Sequence, residues 1–85
     1  MQDDKKRIIL NAVAKATKKL RGTKSQYLLG AEYDISTSLL STLERGLKDP
    51  QLTTLFNLAY AFNISVSEFM QKIESELPKN FTLDD

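Results

Sequence analysis

Five residues, Gly22, Gly30, Gly46, Pro50 and Pro78, are all the glycine and proline in this 85-residue chain, and that scarcity constrains its fold more than any other feature. A sheet protein of this length needs a turn every few residues, whereas a few breaks between long helical patterns suit an all-α domain. Ile9, Val13, Ala16 and Leu20 recur at spacings of 4, 3 and 4, opposite Lys15, Lys18 and Lys19. That stripe predicts a first helix over about residues 4–21, ended by Gly22. Ser25 is placed to N-cap a short second helix with Leu28, Leu29 and Tyr33 inward, stopped by Asp34, a residue that tolerates the left-handed conformation. Ser36 caps a third helix to Arg45, with Leu40 and Leu43 inward and Gly46 just past its end. After Pro50, the residues Leu52, Leu55, Phe56, Leu58, Ala59 and Phe62 ring much of a fourth helix, which reads as the central one. A turn at Asn63-Ile64-Ser65 leads to a fifth helix, capped by Ser65 or Ser67, carrying Val66, Phe69, Met70, Ile73 and Leu77 and stopped by Pro78. The expectation is one five-helix domain over residues 1–77 and a short, polar, acidic tail over 78–85.

Composition excludes several functions. The chain has no Cys, no His and no Trp, which removes disulfides, thiolate or imidazole metal sites, haem ligation by His and the His-dependent nucleophile systems. No cofactor, metal or catalytic residue is expected, and carboxylates such as Glu32 and Glu68 have no recognisable catalytic companion. With 13 Leu, 5 Ile, 2 Val and 4 Phe, the chain has enough apolar surface to fold without staples. The opening MQDDKKR carries no signal-peptide core, and no run approaches the ~18 apolar residues of a membrane span, so an intracellular, cytoplasmic protein is expected. The formal net charge of +1 hides a polarity: residues 1–48 hold ten Lys or Arg against five Asp or Glu, and residues 49–85 hold two against six. A basic first half suits a polyanion, although a solvated surface has the same composition.

Two short helices joined by a tight turn inside a five-helix domain form the helix-turn-helix pattern, whose second helix enters the DNA major groove. The residues sharpen it. SQYLLGAEYDISTSLLSTLERG followed by DPQLTTLFNLAYAFNISVSEF resembles the lambda-repressor/Cro-like (XRE) family of bacterial and phage regulators over about residues 20–70. Its marks are Ser25-Gln26, Ile35-Ser36, Leu40, Glu44-Arg45-Gly46, Pro50, Leu52, Leu55, Ala59 and the Asn63-Ile64-Ser65 turn, and the helix-turn-helix unit is residues 25–46. The family has Ala where this chain has Gly30 and Gly where it has Asp34, so the unit is expected to be less rigid than in its relatives. Glu44 takes a structural role by resemblance, paired with Arg21, or with Lys19 if no gap is placed before Ser25.

The resemblance also implies contacts. The third helix, residues 36–45, would lie in the major groove with Thr37, Ser38, Ser41 and Thr42 toward the bases, where relatives often carry Arg, Gln, Asn or Lys. Small hydroxyls make weaker direct contacts than bidentate side chains, so Thr methyls, Leu39 and DNA shape are expected to share the reading. Gln26 would contact phosphate and brace the first residues of the third helix; Lys24, Arg45 and Lys48 would meet the flanking backbone. The implied partner is double-stranded DNA with a palindromic operator, bound by a homodimer joined through the C-terminal helix, where Phe69, Met70, Ile73, Leu77 and Phe81 either fill the core or face a second copy. Relatives include restriction-modification controllers, phage repressors and antitoxins. The competing reading is a protein-interaction module, an antitoxin or anti-regulator, motivated by the hydroxyl-only reading face and the acidic second half.

Overall fold

The computed structural model describes residues 3–84, which form five helices and, among the described residues, no strand. Met1, Gln2 and Asp85, counted above in the domain and in the acidic tail, lie outside them. The helices are α1 (Asp3–Arg21), α2 (Gln26–Tyr33), α3 (Thr37–Glu44), α4 (Leu52–Ala61) and α5 (Val66–Ser75).

Local chemistry sets most of these ends. Ser25, Ser36 and Ser65 sit in extended backbone and accept hydrogen bonds from the amides of Leu28 (3.1 Å), Leu39 (3.3 Å) and Glu68 (3.0 Å), so Ser65 rather than Ser67 caps α5. α4 starts at Gln51, whose side chain makes no capping bond. Asp34 adopts φ 56°, ψ 46° and ends α2 in the left-handed conformation, as Asn63 (φ 60°) does after α4. α5 stops at Ser75, before the Leu77 expected from the apolar pattern, and Glu76 and Leu77 form a looser turn ahead of Pro78.

The core is assembled around α1, not α4. Ala12, Val13 and Ala16 are small enough for α3 and α5 to approach closely, bringing Leu40, Leu43, Phe69 and Ile73 together with Leu29, Ile35 and Leu58. Phe62 meets Phe69 edge-on at 5.9 Å. Thr17 is fully buried within α1 and donates its hydroxyl to the Val13 carbonyl at 2.7 Å, which removes the cost of an unpaired polar group. α4 packs mainly on α5 and α2, burying Leu58, Ala59 and Ala61 while leaving Leu52, Phe56 and Tyr60 exposed at 68%, 55% and 74%. The expectation of a central α4 is thus corrected: its apolar residues are too many for the one face that meets the core. On α2, Leu28 is 53% exposed rather than inward; Leu29 and Gly30 are the buried residues of this helix, with Tyr33 partly buried against the core. The tail folds back on α1, where Lys5 donates to the carbonyls of Thr82 and Asp84 and lies 5.6 Å from the centre of the Phe81 ring.

Candidate nucleic-acid interface

The unit formed by α2, the turn and α3 is locked from within. Ile35 in the turn is buried, and its amide donates to the Gly30 carbonyl at 2.9 Å. A Cβ on Gly30 would run into the Ile35 carbonyl oxygen, so the close approach of turn and helix requires glycine here. Leu40 and Leu43 point from α3 into the core, and Gly46 (φ 72°) turns the chain away beside the Asn11 side chain.

Glu44, 3% exposed, joins three helices. Arg21 from the end of α1 donates through Nε and Nη2 to the two carboxylate oxygens, both at 2.7 Å, and Gln26 from α2 donates to Oε1 at 3.2 Å. Arg21 also reaches the Lys24 carbonyl at 2.7 Å, fixing the loop between α1 and α2. Burial by itself would push the Glu44 carboxyl up, but the Arg21 and Gln26 hydrogen bonds, with the Arg21 and Lys18 charges, hold it below the usual carboxylate range. The Glu44 hydrogen bond likewise raises Arg21, against the opposing effect of burial. The Arg21 pairing proposed from the sequence is the one formed; Lys19 instead meets Glu76 of the α5 cap at 2.6 Å. Gln26 braces Glu44 at the far end of α3, a correction to its expected contact with the first residues of that helix.

The four residues assigned to base reading share the side of α3 away from Leu40 and Leu43. Thr37 and Ser38 are exposed, and Ser41 and Thr42 are half-buried, with half-buried Leu39 beside them. Their hydroxyls are not equivalent. Thr42 Oγ1 lies 3.0 Å from both the Ser38 and Leu39 carbonyl oxygens, whereas the other three hydroxyls make no hydrogen bond among the described residues. A mid-helix Thr is the sequence signal for such back-bonding, and it separates Thr42 from the other three hydroxyls.

The cations also divide. Lys24 donates to Glu32 at 2.7 Å, and that hydrogen bond raises its pKa. Arg45, the α3 cap, and Lys48 in the following loop are exposed and form no ion pair among the described residues. No helix among the described residues is long and apolar enough to cross a membrane.

A family model described as helix-turn-helix matches residues 18–69, from the last turn of α1 to the first turn of α5. No curated protein and no solved structure gives a match. The match covers more than half of the chain and contains the whole locked unit, and the five-helix architecture is the lambda-repressor-like fold. The chain therefore belongs to the helix-turn-helix family in its lambda-repressor/Cro-like (XRE) form, a family of DNA-binding regulators and not of enzymes.

Proposed function

We propose that this chain binds double-stranded DNA sequence-specifically as a cytoplasmic bacterial or phage transcriptional regulator, a repressor where its site overlaps a promoter. Residues 1–77 act as the DNA-binding domain, with α3 in the major groove. Thr37, Ser38, Ser41 and Thr42 face the bases, and Gln26, Lys24, Arg45 and Lys48 meet the backbone on either side. The observation that carries this reading is the outward face of α3: Thr37 and Ser38 are exposed, with half-buried Ser41 and Thr42 behind them, while Leu40, Leu43 and Glu44 on the same helix anchor it to the rest of the domain. Arg45 and Lys48, without an ion pair among the described residues, add positive charge at its end.

The regulator acts as a homodimer on a palindromic operator whose half-sites lie about one helical turn, ~34 Å, apart. Pairing through α5 has less apolar surface to draw on than the sequence suggested. Phe69 and Ile73 are buried and Leu77 and Phe81 half-covered, which leaves Met70. One observation favours the second reading, a protein-interaction module: the exposed ridge of Leu52, Phe56 and Tyr60 along α4.

The test is binding to DNA from upstream of the protein's own gene, titrated with salt against random competitor, with the mass in solution measured in parallel. The regulator keeps its preference for one site while affinity falls steeply with salt. Equal affinity for both DNAs at every salt concentration rules out the sequence-specific function, and a monomer on DNA rules out the dimer.

A further inference from the structure

Among the four hydroxyl residues on the outer face of α3, Thr42 alone has its hydroxyl committed elsewhere. A hydroxyl carries one proton, and the Thr42 proton is directed at two backbone carbonyls of the preceding turn, those of Ser38 and Leu39, each 3.0 Å away. Oγ1 lying over that turn leaves the γ-methyl as the branch directed away from those carbonyls. Leu39, three residues earlier and half-buried, adds apolar surface beside it. Thr37, Ser38 and Ser41, by contrast, keep hydroxyls free to donate or accept.

The major groove offers one apolar group, the C5-methyl of a pyrimidine, against which such a surface gains by excluding water. We infer that Thr42 reads a pyrimidine C5-methyl group in the major groove through its γ-methyl, and does not donate a hydrogen bond to the polar edge of a base. This rests on α3 being the DNA-reading helix. Two sources carry the chemistry, thymine and 5-methylcytosine. To donate to a base acceptor, Thr42 would first have to break its backbone hydrogen bond, whereas a methyl-reading Thr42 acts in the rotamer it already occupies.

The probe is a short duplex retained by the full chain from a random-sequence pool, resynthesised in three forms: unmodified, with deoxyuridine for every thymidine, and with 5-methyldeoxycytidine for every deoxycytidine. Deoxyuridine removes only the methyl and preserves the hydrogen-bonding edge. Each lost methyl contact weakens binding about fourfold, the equivalent of one buried methyl or methylene group. Thr42→Ser, which keeps the hydroxyl, shows a deoxyuridine penalty smaller than the native chain's by about fourfold, the loss of one methyl contact; Thr42→Val, which keeps the methyl and loses the hydroxyl, retains both the affinity and the full deoxyuridine penalty. If only the 5-methyldeoxycytidine duplex changes affinity, rising in the native chain and not in Thr42→Ser, methylcytosine is the source and the inference stands. A penalty that persists unchanged in Thr42→Ser comes from duplex shape or from the apolar surface of Leu39 or Thr37 and overturns the inference, as does insensitivity of the native chain to both modifications, or loss of binding in Thr42→Val with retention in Thr42→Ser. Those results leave sequence-specific binding intact. A chain that enriches no sequence from the pool instead refutes the DNA-reading function, and this inference with it.

Discussion

Removing either partner of the Arg21–Glu44 pair is expected to cost far more than the pair contributes against an apolar replacement, because the carboxylate is left buried without its guanidinium. Arg21→Met should lower the free energy of unfolding by about 3 kcal/mol, and Arg21→Met with Glu44→Leu should recover most of that loss; urea denaturation of the two variants decides. The same contact fixes an acid limit. A carboxyl held below its unfolded value of about 4.3 contributes stability above that pH and loses it as pH falls through the lowered folded value. Unfolding free energy followed by denaturant titration should therefore decline below about pH 4.3, with a smaller decline in Glu44→Gln. Gly30→Ala, ordinarily a helix-stabilising change, should destabilise by about 1–3 kcal/mol, since the new Cβ must displace the Ile35 carbonyl; the thermal midpoint reports it. The Arg21–Glu44 pairing was legible from the family resemblance as one of two candidates, with Lys19 the other. Gln26 as the third member of the Glu44 cluster was not, because that contact depends on where α2 crosses the end of α3.

At the scale of elements, the helices and their breaks could be read from Ser caps, left-handed positions and apolar spacing, all of which act within a few residues. What each helix buries could not. α4 and α5 both carry a rich apolar pattern, yet α5 directs Phe69 and Ile73 into the core while α4 leaves Leu52, Phe56 and Tyr60 outside. That difference follows from α1 occupying the centre, and nothing local to α4 encodes it. Capping supplies a prediction at this scale. Gln51 has the extended backbone of an N-cap, φ −67° and ψ 153°, without a side-chain bond. Gln51→Asp should stabilise the protein by about 1 kcal/mol by accepting an α4 amide and placing negative charge at the helix start, whereas Ser36→Ala should cost about 1 kcal/mol at α3. Differential scanning calorimetry resolves both signs.

For the whole molecule, the charge polarity of the sequence is partly cancelled in space. Lys6 lies 3.6 Å from Asp49 and Lys19 2.6 Å from Glu76, so acids of the second half neutralise cations of α1. The cations left unpaired near the end of α3, Arg45 and Lys48, carry more of the proposed DNA attraction than the count of ten suggests. For a dimer, two to three phosphate contacts per subunit give a slope of log affinity against log salt of about −4 to −5, and Arg45→Ala should make it shallower by about 2. Fluorescence anisotropy at several salt concentrations measures both. Since Leu40, Leu43 and Glu44 hold α3 in place and the hydroxyls of Thr37, Ser38 and Ser41 make no hydrogen bond among the described residues, the two sets of residues answer to different selective pressures. Substitutions at Thr37, Ser38 and Ser41 should change stability by no more than about 0.5 kcal/mol. Within a lineage, operator preference can then drift by single codon changes while the scaffold stays fixed, and divergent target sites among descendants of this gene need no compensating mutations elsewhere.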